Sequence, residues 1–161
     1  MLDKYTDNMV RAKFLIIVCA LLCWIKGYSQ TEKLSGTYSY GKGSEDGYGY
    51  LRLYSMNDST ILFYIENGRG APSYNSGSLE GSIYMKKDLG MFVSKDSDWV
   101  LRFYFQKNSI KVVSKEYKSG SGYGYGVSPD GEYERKSSIK REYFINREGD
   151  TTYFKQFNHN K

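Results

Sequence analysis

Cysteine and histidine are almost missing from this chain. It has 161 residues, two cysteines and one histidine. Both cysteines, Cys19 and Cys23, lie in an apolar stretch near the N-terminus, so no disulfide and no thiolate metal site is expected in the remainder. A zinc site needs several histidine or cysteine ligands, and none are at hand. A Ser-His-Asp triad needs a histidine held by its neighbours, whereas His159 stands three residues from the end and reads as a solvated tail residue. Helical periodicity is also scarce, which excludes a parallel sheet with crossover helices. "SGSGYGYG" lacks the Lys-Ser/Thr of a phosphate-binding loop, and no oxygen-rich loop has EF-hand spacing. No cofactor is expected.

The N-terminus is patterned as an export leader. "MVRAKFLIIVCALLCWIKGYSQ" sets Arg11 and Lys13 before an apolar run, Phe14 to Ile25, followed by a short polar stretch. That run is well short of the roughly 20 residues that span a bilayer, so no permanent membrane anchor is expected. Gly27 and Ser29 supply small residues for cleavage before Gln30. Val18 and Leu22 precede the cysteines where a lipid-anchored precursor carries a small residue, which argues against lipidation. The expected division is a signal peptide over 1–29 and one antiparallel β domain over 30–161. The leader holds four basic and two acidic residues, so its removal takes the net charge from +5 to +3. Charges of both signs are interleaved, which is a solvated surface and not a nucleic-acid stripe.

Short alternating runs separated by turn residues are what the sequence has in place of helices. "YLRLYSM" puts Leu51 and Leu53 on one face, with Tyr50, Arg52 and Tyr54 on the other. "TILFYIE" points Ile61, Phe63 and Ile65 inward and Leu62 and Tyr64 outward. "SLEGSIYMK" sets Leu79 and Ile83 inward, with Gly81 on the same face marking a bend or bulge. "DWVLRFYFQKN" aligns Trp99, Leu101, Phe103 and Phe105. Turns are expected at Asn57-Asp58, Lys87-Asp88, Lys107-Asn108, Pro129-Asp130-Gly131 and Glu148-Gly149-Asp150. "EYERK", "REYFIN" and "TTYFKQF" read as closing strands. The fold class is therefore all-β, a single antiparallel barrel or sandwich of about 8–10 short strands.

Tyrosine is the surplus: 17 in the chain, of which only Tyr5 and Tyr28 fall in the leader. Tyr50, Tyr54, Tyr64, Tyr84 and Tyr104 lie opposite the aliphatic faces. Cross-strand packing accounts for tyrosines on half-buried pleated surfaces. A contact surface for protein or cell-envelope glycan is the functional alternative, because tyrosine joins a large rigid ring to a hydroxyl. Carboxylates give a remote third class, a hydrolase with paired acids: Glu45 with Asp46, Asp96 with Asp98, or Glu132 with Glu134. A non-catalytic binding protein is the favoured class.

The stretch "KSGSGYGYGVSPDGEYERK", Lys118 to Lys136, concentrates glycine and tyrosine. One expectation is a structural corner in which Tyr123 and Tyr125 cover a barrel end. The other comes from likeness. "SGSGYGY" resembles the Ser-Gly-Ser-Gly-x-x-Tyr signature of bacterial inhibitors of c-type lysozyme, which are small exported β-barrels. In that family a loop serine and a downstream lysine enter the lysozyme cleft and meet its catalytic acids. The resemblance implies a binding loop of Ser119, Ser121, Tyr123 and Tyr125, with Lys136 as the lysine and a lysozyme-like hydrolase as partner. The family's cysteine pair is absent, and Tyr133 and Ser137 stand where a tryptophan and a glycine are usual. The stretch, with "LSGTYSYG", also resembles exported β proteins of Gram-negative bacteria that have no assigned role.

Overall fold

The computed structural model describes residues 31–43, 45–94, 99–115 and 123–159. Eight antiparallel strands close into a barrel: β1 (Gly36–Gly43), β2 (Gly47–Ser55), β3 (Thr60–Gly68), β4 (Ser76–Lys86), β5 (Leu89–Val93), β6 (Val100–Phe105), β7 (Ser109–Lys115) and β8 (Gly131–Ser137). Each strand pairs with the next, and β8 returns to β1 through Tyr38↔Arg135 and Ser39↔Glu134. Closure selects the barrel over the sandwich and gives every barrel strand a partner on each side. A separate hairpin, β9 (Tyr143–Ile145) and β10 (Thr151–Tyr153), follows the barrel. The last expected strand ends early, because Phe154–His159 winds into a 3₁₀ turn. Among the described residues no helix is long and apolar enough to cross a membrane.

Alternation within each strand fills the barrel. Leu51, Leu53, Ile61, Phe63, Ile65, Ile83, Trp99, Leu101 and Phe103 are all buried in one cluster. Fully burying one such side chain is worth about 1.5–3 kcal/mol, so this cluster is the main source of stability. Gly81 makes no bulge: the β3–β4 register runs unbroken through Phe63↔Gly81. A Cβ there would collide with the Phe92 ring, so the missing side chain makes room for an aromatic.

A second apolar cluster lies outside the barrel wall. Tyr54, Leu62 and Tyr64 do point outward, as the alternation requires, yet they are buried beneath Phe144 and Phe154. Tyr64 stacks on Phe144 with centroids 4.1 Å apart, and Tyr54 stacks on Phe154 at 5.5 Å. Lys140, in the connection to the hairpin, sits over the Tyr54 ring and pairs with Glu32 at 2.9 Å. The C-terminal hairpin is thus a strap laid across β2 and β3.

Each barrel end has its own closure. At the end where β1 starts, the 3₁₀ turn Glu32–Leu34 is anchored by Tyr38 Oη donating to the Leu34 carbonyl at 2.9 Å. The buried Ser55 hydroxyl donates to Thr31 Oγ1 at 3.0 Å, and Arg135 Nη2 donates to the carbonyls of Lys33 and Ser35, each at 2.7 Å. At the opposite end, Tyr123 packs into the barrel and bonds to Asn67.

Candidate functional site

The barrel end carrying the Gly/Tyr segment is built around one buried amide. Asn67 Nδ2 donates to Tyr133 Oη at 2.7 Å and to Tyr40 Oη at 3.1 Å, and its Oδ1 accepts from Tyr123 Oη at 3.2 Å. Tyr133 Oη in turn donates to the Pro129 carbonyl at 2.8 Å. Burial pushes the Tyr133 hydroxyl well above the ordinary tyrosine range, so it serves as a neutral hydrogen-bonding group. The rings fit because glycines face them. Gly49 lies directly across from Tyr40, Gly131 lies under the same ring, and Gly77 lies under Tyr123. A Cβ at any of the three would strike the ring.

Tyr123 also mends a seam in the wall. Pairing between β4 and β5 stops at Tyr84↔Met91, which leaves the first part of β4 without a β5 partner. Tyr123 forms a single antiparallel bridge to Gly77, and Gly124 N–H donates to the Ser76 carbonyl at 3.1 Å. Its ring touches Trp99 at a centroid distance of 5.4 Å. Tyr123 is therefore buried in the barrel mouth and offers no free contact surface.

The next three residues do the opposite. Val127 N–H donates to the Gly124 carbonyl at 3.1 Å, closing a four-residue turn. Gly126, third in that turn, has φ +73°, which is the type II requirement for glycine. Tyr125 occupies the projecting corner and is 89 % exposed. Asn75 Nδ2 donates to the Tyr125 carbonyl at 2.9 Å, so the turn is held to the neighbouring loop. That loop presents a second exposed tyrosine, Tyr74, at φ 49°, whose hydroxyl donates to Glu45 at 2.8 Å. Beside them lies an open groove of about 300 Å³ whose lining includes Asp46, Arg69, Gly126 and Asp130. The Arg69 guanidinium packs against Gly126.

Lys136 is elsewhere. It lies five residues beyond Gly131 on β8, about 16 Å of strand away and toward the end where β1 begins. Its Nζ pairs with Glu134 at 2.8 Å beside an open groove of about 650 Å³. That bond holds the Glu134 carboxyl below its usual range. The structure puts Tyr123 and Tyr125 at one barrel end but turns the first inward and the second outward, and it does not bring Lys136 to them; Ser119 and Ser121 lie outside the described residues. Of the acid pairs, Glu45 accepts from Tyr74, and Glu132 accepts from Ser109 at 3.0 Å. Asp96 and Asp98 lie outside the described residues. Sequence reasoning missed the roles of Asn67, Tyr74 and Arg69; the signal for the first was the recurrence of glycine next to tyrosine.

No family model, curated protein or solved structure matches this chain.

Proposed function

We propose that the protein is an exported, non-catalytic binding protein that inserts the Tyr125 turn into a cleft of its partner, a lysozyme-like hydrolase. The observation that carries this reading is the convex, hydrogen-bonded turn with an almost fully exposed tyrosine at its corner. A projecting ring on a braced turn loses little conformational entropy on binding, which suits a protruding anchor better than a ligand-enclosing pocket. Ser119 and Ser121, the positions to which the lysozyme-inhibitor resemblance points, directly precede this turn in the chain. Export rests on the patterned leader. Tyr74, whose neighbour Asn75 bonds the Tyr125 carbonyl, supplies a second exposed ring. The test is titration of the purified protein into a c-type lysozyme assay. Stoichiometric inhibition, weakened by Tyr125→Ala and by Ser121→Ala, supports the reading. A loss on Lys136→Ala as well would extend the contact along the β8 wall. Inhibition absent at large molar excess removes c-type lysozyme as the partner.

A further inference from the structure

We propose that the groove between the β2–β3 wall and the C-terminal hairpin is a second binding site, for an acidic sugar: a hexose bearing a carboxylate. The groove measures about 410 Å³ and is lined by Tyr48, Tyr50, Arg52 and Glu66 from the barrel and by Arg141 and Tyr143 from the strap. That volume lies in the range of small-molecule sites.

Its charges are not equally free. Arg52 is committed to structure: Nη1 donates to the Tyr143 carbonyl at 3.1 Å, Nη2 donates to Tyr50 Oη, and the guanidinium lies over the Tyr50 ring. Glu66 is committed too. One carboxylate oxygen accepts from Tyr48 Oη at 2.7 Å and the other from Tyr64 Oη at 2.9 Å. Burial, followed by the bond and charge of Glu66, pushes Tyr48 up to about 12, so its proton stays in that bond at physiological pH. Arg141 differs: it is exposed and has no hydrogen-bond or ion-pair partner among the described residues. Burial raises the Tyr50 hydroxyl, while the charges of Arg52 and Arg141 pull it down, so both cations act at the same tyrosine.

The groove therefore holds one fixed cation and one uncommitted cation, against a carboxylate whose oxygens already accept two hydroxyls. A planar guanidinium with free donors matches a carboxylate in bidentate geometry. The tyrosine rings and hydroxyls beside it suit the apolar face and the hydroxyl rim of a pyranose. A neutral sugar would leave Arg141 unused, and a bare anion would leave the rings unused. The site also exists only while the hairpin is docked, because Arg141 and Tyr143 belong to the strap. It is separate from the Tyr125 turn and does not depend on a hydrolase partner.

The test is an NMR titration of the purified protein with D-glucuronate, D-glucose and acetate in parallel. The expected result is a saturable glucuronate response centred on the backbone amides of residues 48–52 and 141–146, with weaker responses to glucose and to acetate. Arg141→Ala is expected to lower glucuronate affinity about tenfold, the loss of one charge-assisted contact worth about 1.4 kcal/mol. Arg141→Lys should retain part of it. Three results would overturn the proposal: no response in the groove, equal affinity for acetate and glucuronate, or wild-type affinity in Arg141→Ala. Arg141 is exposed, so its replacement leaves the fold intact.

Discussion

Asn67 Nδ2 donates to the Tyr133 hydroxyl at 2.7 Å in the barrel mouth, joining β3 to β8 across the interior. The same amide reaches Tyr40 and Tyr123, so one side chain ties two strands and the closing segment to β3. This is a small buried polar network, and its members depend on one another.

Asn67→Ala should therefore destabilise the protein by about 2–4 kcal/mol, since an unsatisfied buried polar group costs about 1–3 kcal/mol and more than one partner is affected. Tyr133→Phe removes one member and should cost less. Urea denaturation midpoints measure both. An Asn67→Ala variant within about 0.5 kcal/mol of wild type would contradict the hub role, because that is the range of inert surface changes.

Phe144 joins the strap to the barrel through its stack on Tyr64, and it also touches Phe154. Phe144→Ala should cost about 3–5 kcal/mol if strap and barrel unfold together. If the strap opens first, amides of β9 and β10 will lose hydrogen-exchange protection while β6 and β7 keep theirs. Only the second pattern should abolish the glucuronate response, because the groove needs the docked strap.

Gly81→Ala inverts the ordinary propensity rule. Alanine loses less entropy than glycine in a strand, yet here its methyl meets the Phe92 ring. A loss of about 1–3 kcal/mol is expected, as for overpacked cores. A neutral or stabilising result in thermal unfolding would show that Phe92 moves aside freely.

Glu80 gives a pH dependence of definite sign. Burial, and then the charge of Glu148 in the hairpin turn, raise its carboxyl above the ordinary range. The folded protein thus binds this proton more readily than the unfolded chain does. Stability from this group is full below about pH 4.3, the unfolded glutamate range, and is lost as pH rises through the higher folded value. Glu80→Gln should raise the melting temperature at neutral pH, and the gain should vanish in acid. Equal gains at both pH values would place the effect elsewhere.

Much of the core was legible because a strand has a period of two. Leu51, Leu53, Ile61, Phe63, Ile65, Trp99, Leu101 and Phe103 follow from that period alone. The period cannot say what covers the outer face. Tyr54, Leu62 and Tyr64 look solvent-facing until the strap returns from far along the chain to bury them. Gly81 read as a bend or bulge because the ring that fills its space, Phe92, belongs to another strand. The Gly/Tyr stretch held both of its expected readings in neighbouring residues. Tyr123 turns inward to the Asn67 network, while Tyr125 turns outward on a glycine-dependent corner. Lys136 could not be placed from sequence, because β8 carries it along the wall toward the other end of the barrel.

The most direct test of the binding account is the titration of purified protein against c-type lysozyme, with Tyr125→Ala measured beside it. Tyr125 contributes almost no buried surface to the fold, so its loss leaves stability unchanged and isolates recognition. The account predicts stoichiometric inhibition by the wild type and at least a tenfold weaker effect from the variant, about 1.4 kcal/mol for an interface anchor. Inhibition equal in both proteins would contradict the Tyr125 turn as the contact, and its absence in both would contradict the lysozyme partner.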